Sequence, residues 1–459
     1  MKDKENGLEK ERILQKENSF RNNLFRIALP VTLQSLLQSS FSMIDQVMIG
    51  QLGSDSIAGI GLGGKFASIY SVVLSAVAVA AGILIAQYIG QKNDKELAKS
   101  FHVNLLVSIV IAALFMAVCN FCPQAIMALY TKDGGTGALA VSYLRIYSIS
   151  FLPMALTTMM AVLLRCVEAA VVPLVASFLS VILNTGLNYL LIFGKLGCPT
   201  LGVRGAAIAS VIAQAAACVL TLCIFLWQLH KKGIDLSFSI GLSKASRQQY
   251  LGILAPILIC EFAWSLGENV YAAIYGNIGT DPCAAMTMTG PIQGLMIGAL
   301  SGISQAAGIM IGKSLGRREY EKAYEDSKKL IKCGLTGSVV LSVLLILLGR
   351  YYVEIYNVEP QVQAVAYQIL IAFAVISPVK VQNMILGGGI IRSGGMTKYV
   401  MWIDLIGTWL FGVPLGLLAA FLWKLDIPYV YFVLSLEEVV RLLIAAVIFR
   451  KRTWIKSLQ

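Results

Sequence analysis

The chain has 459 residues, 57% of them hydrophobic and only 14% charged, where soluble domains carry roughly 25% charged residues. That balance, with a mean hydropathy of +0.74, excludes a soluble globular domain and a disordered chain alike. The formal net charge of +12 would suit a polyanionic partner, but the positions of the basic residues give it a different meaning, developed below.

In chain order, residues 1–22 are polar and of mixed charge, and read as a cytoplasmic tail rather than a cleaved leader. The stretch ERILQKENSFRNNLFRIAL within and after it would suit either a helix lying on the membrane surface or a plain solvated tail. Six apolar segments follow, at about 24–49, 58–90, 101–129, 137–163, 168–194 and 203–229. A polar stretch at 230–248 reads as a linker. Six more segments follow, at about 249–276, 283–312, 327–350, 361–390, 398–423 and 428–450, and a basic tail at 451–459. Each is long enough for a helix to cross a bilayer, and none shows the period-2 alternation of a spanning strand. The expected fold is therefore all-α and integral to the membrane, with twelve transmembrane helices in two six-helix lobes at 23–229 and 249–450.

The twelve segments sort the charges. With a cytoplasmic N-terminus, Lys92, Lys95, Lys99, Lys231, Lys232, Lys313, Arg317, Arg318, Lys398 and the run from Arg450 to Lys456 fall on one side. Lys65, Lys132, Lys195, Arg204, Arg350 and Lys424 fall on the other. This is the positive-inside asymmetry of a multi-pass protein with both termini cytoplasmic, in a cell membrane. It explains the basic balance without nucleic acid.

The chain also repeats itself at a spacing of about 226 residues. Pro30 recurs as Pro256, Gly50–Gly53 as Gly276–Gly279, Ala80–Ile83 as Ala306–Ile309 and Gly90 as Gly316. Leu164–Arg165 lines up with Ile391–Arg392 after a one-residue slip. An even number of helices per repeat gives both copies the same topology, an arrangement common in transporters. Gly90 and Gly316 are expected to cap the C-terminal ends of their helices.

No catalytic constellation is visible, and the chain reads as a non-enzyme. Gly59, Gly64 and Lys65 have the spacing of a phosphate loop, but Phe66 replaces the magnesium-binding hydroxyl and no strand precedes it. The Cys119–Cys122 pair has no second pair, and His102 and His230 lie on different loops. No cofactor is expected.

Ionisable residues in hydrocarbon are expensive, about 2.5–3.5 kcal/mol each on insertion scales, so each needs a reason. Asp45 lies near the outer end of the first segment. Asn184 and Asn188, four apart on one face of the fifth, and Ser210 on the sixth fall at a similar depth. The set suits a proton or a hard monovalent cation such as Na+, with packing by interhelical hydrogen bonds as the plain alternative for the amides and hydroxyl. In the second half, Tyr271 stands opposite Asp45. Glu261 and Glu268, seven apart, offer a second carboxylate pair for a cavity. Lys380 and Asp404 sit at comparable depth and are expected to pair. Glu437, Glu438 and Arg441 have the spacing for local pairs.

Several segments, ALPVTLQSLLQSSFSMIDQVMIGQLG, LLRCVEAAVVPLVASFLSVILNTGLNYLLIFG, LGVRGAAIAS, YAAIYGNIG and GGGIIRSGGMTKYV, resemble the multidrug and toxic compound extrusion (MATE) family. The resemblance runs from about residue 20 to 450. It implies a V-shaped pair of helical bundles, monomeric in the bilayer, exporting amphipathic or cationic drug-like molecules in exchange for Na+ or H+. In the family's DinF-like branch, the cation-handling positions match Asp45, Asn184, Asn188 and Ser210, with Asn188 standing where that branch has an acidic residue. The NorM-like second-lobe acids are not matched, since Glu261 and Glu268 flank the helix-7 position and Lys380 stands near the helix-10 one. An alternative within transport is the export of polyprenol-linked or other lipid-like precursors, which needs a strongly basic cavity.

Overall fold

The computed structural model describes residues 20–40, 48–49, 51–52, 54–239, 241, 244–356 and 358–458. Among them there is helix throughout and no strand. Helix α1 covers residues 20–40. It is followed by α2 (Ser54–Gln91), α3 (Asp94–Phe121), α4 (Gly134–Cys166), α5 (Val171–Phe193) and α6 (Val203–Lys232). The second half has α7 (Lys244–Ile278), α8 (Thr280–Gly316), α9 (Tyr320–Glu354), α10 (Pro360–Ile391) and α11 (Thr397–Leu422). It closes with α12, in two pieces, Ile427–Ser435 and Glu437–Arg450. The ten helices α2–α11 are long and apolar enough to cross a membrane. The protein is an all-helical, multi-pass membrane protein.

The helix ends follow local rules. Asn93 caps α3 by accepting from the Glu96 amide at 3.2 Å, with Asp94 and Glu96 in the first turn. Asp133 caps α4, its Oδ2 accepting from the Thr136 amide at 2.8 Å. Gly194 and Gly233 end α5 and α6 in the left-handed conformation that glycine adopts without strain. At the start of α9, Glu325 pairs with Lys328 at 2.6 Å, and Lys322 pairs with Glu319 at 3.0 Å.

Gly90 and Gly316 do not act as caps. Both are helical, and the left-handed turn residues are Lys92 (φ 55°) and Arg318 (φ 62°), themselves repeat equivalents. The glycines serve close approach instead. A Cβ on Gly90 would collide with the Lys313 carbonyl oxygen, and one on Gly316 with the Gln87 carbonyl oxygen. The two repeat-related glycines thus meet each other, with Gly316 Cα 3.1 Å from a Cβ built on Gly90. Small residues at a helix crossing let backbones touch where lipid supplies no hydrophobic drive.

The chain folds as two compact units. The first holds Gln34–Ile85 and Lys92–Glu261; the second holds the described residues of Met1–Leu33, Ala86–Gln91 and Phe262–Gln459. Helices α1, α2 and α7 are therefore each divided between the two. In the first unit α5 and α6 form a tight hairpin, because a Cβ on Gly205 would lie 2.6 Å from the Leu191 carbonyl oxygen. Tyr70, fully buried, donates to the Phe151 carbonyl at 2.7 Å and stacks on that ring. In the second unit the end of α10 (Met384–Ile391) widens to a π-helix where its glycines meet α8. There Ser304 Oγ donates to the Met384 carbonyl at 2.6 Å, and a Cβ on Gly389 would lie 2.7 Å from the Ser304 carbonyl oxygen.

Three outcomes follow for stability. Gly316→Ala should lower the thermal midpoint in detergent, since overpacking against a backbone carbonyl costs about 1–3 kcal/mol. Gly64→Ala, which meets open space, should hold or raise it, because alanine is the better helix former by about 1 kcal/mol. The hydrogen bonds from Thr136 hold the Asp133 carboxyl below its usual range. A depressed folded value means the cap stabilises above the unfolded carboxylate pKa and is lost as pH falls through the folded one. Asp133→Ala should therefore melt below wild type at pH 7, and the two curves should converge in acid.

Candidate ion-coupling site

The α5–α6 hairpin sets the depth of its polar side chains. Asn184 and Asn188 stand one turn apart on α5, and Ser210 faces them from α6. Asn188 Nδ2 donates to Asn184 Oδ1 at 3.1 Å, and Asn184 Nδ2 donates to Ser210 Oγ at 3.1 Å. Asn188 is 1% exposed. Three of the four residues expected to share a site are thus joined in one hydrogen-bonded chain. The fourth, Asp45, lies outside the described residues. Amide and hydroxyl oxygens are the ligand type that hard cations take, and a carboxylate would complete the set.

On the same unit, a polar bracket joins α1, α4 and α5. Arg165 donates to Gln34 Oε1 at 2.9 Å, and Gln34 Nε2 donates to Ser177 Oγ at 2.7 Å. Sequence reasoning marks Arg165 only by its repeat partner Arg392. The neutral Gln34–Ser177 arm carries no signal, because single Gln and Ser residues in an apolar helix are common.

In the second unit the structure redraws the expected pairing. Lys380 does not pair with Asp404. Lys380 Nζ faces Glu438 Oε1 at 3.9 Å, while Asp404 faces Arg392 at 3.9 Å and Arg441 at 3.7 Å. The sequence gives the depth along each helix, but not the direction in which each side chain points. Arg441 also pairs with Glu437 at 3.4 Å and Glu438 at 3.9 Å, in keeping with their spacing on α12, and donates to Thr408. Tyr271 donates to Glu437 Oε2 at 2.6 Å, and Asn383 donates to Glu438 Oε2 at 2.8 Å. Three acids and three bases share this network, so it is electrically neutral. Glu437, Glu438 and Arg441 are each 7% exposed or less.

Glycines on α11 make room for it. A Cβ on Gly407 would strike the Arg441 side chain, and one on Gly412 would strike Tyr271 Oη and Glu437 Oε2. Sequence reasoning does not single out Tyr271, Asn383 or Thr408 as members. The signals it offers are the exchange of Asp45 for Tyr271 between repeats and the two small residues facing a charged helix. Glu261 is half-buried and falls in the first unit, and Glu268 is exposed and falls in the second.

A duplicated set of membrane helices with buried polar clusters is an arrangement common among membrane transporters. The MatE family model matches residues 30–190 and again 256–418, the two copies beginning at Pro30 and Pro256. The chain belongs to the MatE family. Among its relatives, the uncharacterized transporter YisQ of Bacillus subtilis is 22% identical over 95% of each chain. A probable multidrug resistance protein NorM of Thermotoga maritima is 25% identical over 74% of this chain and 73% of its own. One from Bacillus thuringiensis is 25% identical over 89% and 90%. Among solved structures, a point mutant of the Vibrio cholerae MATE transporter VcmN has the same fold, with a TM-score of 0.86, 17% identity, and 95% and 99% coverage. A MATE in complex with MaL6 superposes with a TM-score of 0.85 at 17% identity, covering 94% and 96%.

The network makes a quantitative prediction. Arg441→Met leaves Asp404, Glu437 and Glu438 short of a cation, and breaking buried pairs from one side costs about 3–5 kcal/mol. Tyr271→Phe removes one hydrogen bond to a charged acceptor, about 1.5–3 kcal/mol. Equilibrium unfolding in mixed detergent should place both variants below wild type, with Arg441→Met the less stable of the two.

Proposed function

We propose that the protein is a secondary active exporter of amphipathic or cationic drug-like molecules, driven by exchange with Na+ or H+. The observation that carries this reading is the hydrogen-bonded chain Asn188–Asn184–Ser210 on the α5–α6 hairpin. It lies in a family whose relatives include proteins named for multidrug resistance. In this reading Asp45 supplies the charge of the site, and the amides and hydroxyl supply neutral oxygen ligands. Protonation of Asp45, or Na+ binding there, rearranges the first lobe and releases the exported molecule outward. The protein works as a monomer of two six-helix lobes, 23–229 and 249–450, in the cell membrane, with both termini in the cytoplasm. Its basic residues gather on that side.

Export of lipid-linked precursors finds less support. It calls for unneutralised basic side chains in a central cavity, and Lys380, Arg392 and Arg441 each face a carboxylate. Arg145 is exposed.

The test is ethidium efflux from proteoliposomes with the Na+ and H+ gradients imposed separately. One of the two gradients should drive efflux, and Asp45→Asn at equal incorporation should abolish that dependence. Wild-type efflux by Asp45→Asn would sink the assignment. Asn188→Asp adds a second carboxylate and should raise the apparent affinity for the driving cation by about tenfold, equivalent to about 1.4 kcal/mol.

A further inference from the structure

The eight residues 451–458 that follow α12 do not trail away from the bundle. Arg452 turns the chain at φ 55°, pairs with Glu321 at 2.7 Å and lies over the Tyr324 ring at 4.0 Å. Trp454 is fully buried and stacks on Phe449, which stacks in turn on Tyr324. The Trp454 carbonyl and the Leu458 side chain fit against Gly394 and Gly395, where any Cβ would collide or crowd them. Beyond Trp454 the segment reaches α2. The Leu458 amide donates to Gln87 Oε1 at 2.7 Å, and Gln91 Nε2 donates to the Leu458 carbonyl at 2.7 Å and to Ser457 Oγ at 3.3 Å. Gln87 Nε2 also donates to the Ser393 carbonyl, in the turn after α10, at 2.6 Å.

The two ends of this segment differ in kind. The Arg452–Trp454 end is anchored by buried aromatic surface. The Ser457–Leu458 end is held by neutral hydrogen bonds to two glutamines, which water can replace at modest net cost. What it holds is the last turn of α2, Ala86–Gln91, the part of that helix that clusters with the second unit while the rest belongs to the first. That same turn meets α8 through Gly90 and Gly316.

We propose that residues 451–458 form a latch on the last turn of α2. Docked, the latch keeps that turn on α8 and the α10–α11 turn. Opening of this end of the molecule requires Ser457 and Leu458 to release Gln87 and Gln91 while Trp454 stays in place. The inference rests on the export cycle proposed above, in which the transporter exposes its site to each side in turn.

The experiment uses the full chain with its nine cysteines replaced, carrying Gln91→Cys with Ser457→Cys. Joining the two thiols with a short bis-methanethiosulfonate linker should cut ethidium efflux to below about a tenth, because a blocked conformational step limits turnover. Reduction should restore it, and neither single-cysteine protein should respond. Efflux at the unlinked rate after complete linking would overturn the latch. A second readout does not need transport. In the cysteine-free chain carrying Ser393→Cys, buried beneath the latch, adding Gln87→Ala with Gln91→Ala should speed maleimide labelling severalfold. Unchanged labelling would overturn the proposal. Should the unlinked protein show no gradient-driven efflux, the export reading falls, and the labelling result decides the latch separately.

Discussion

Hydrocarbon offers no partner to a polar group, so each one inside the membrane has to be satisfied by the protein itself. Six charged side chains on α10, α11 and α12 and in the turn between α10 and α11 sum to zero and are linked by contacts of 3.4–3.9 Å. Their neighbours are arranged to serve them. Tyr271 and Asn383 fill remaining acceptor positions on the carboxylates, and α11 has glycine at 407 and 412, where a side chain would displace a charge. The wide π turn of α11 at Ile406–Gly412, which carries Gly407, Thr408 and Gly412, belongs to the same adjustment, since it re-aims residues without breaking the helix.

Much of this was legible in the sequence, for identifiable reasons. Helices declare themselves by length and apolarity alone, so the spans from α2 to α11 fall close to where composition put them. The repeat set by Pro30 and Pro256 survives because each copy solves the same packing problem. Asn184, Asn188 and Ser210 could be grouped because a four-residue spacing fixes one face and a short hairpin fixes depth. Lys380 and Asp404 could not be paired, because depth says nothing of azimuth. Both helices contain π turns that shift the register on which an azimuth estimate would rest. Gly90 and Gly316 stand out in the sequence, but their task does not. A glycine near a helix end fits a cap and a close approach equally well, and only the position of the neighbouring helix separates them. Members of the network such as Thr408 carry no sequence signal, since a threonine in an apolar helix commonly bonds to its own backbone.

The two repeats keep one buried arginine in the same place and surround it differently. Arg165 and Arg392 are equivalents at the ends of α4 and α10. The residue that follows twelve positions later is Ser177 in one copy and Asp404 in the other. In the first, Arg165 reaches α5 through the neutral amide of Gln34 on α1. In the second, Arg392 meets a carboxylate that Arg441 shares.

This difference has an energetic consequence. A bridge of neutral groups can break and reform at about 0.5–1.5 kcal/mol per bond, whereas removing one member of a buried charge network costs about 3–5 kcal/mol. The Gln34 hydrogen bonds are of the first kind, and the contacts of Arg392, Asp404 and Arg441 are of the second. Gln34 lies in the same apolar segment as Asp45, eleven residues before it. Under the proposed function, a cation at Asp45 acts on the same segment that carries the Gln34 hydrogen bonds. The duplication supplied two copies of one scaffold, and the exchange of Ser177 for Asp404 goes with a neutral hydrogen-bonded arm in one copy and a charged network in the other.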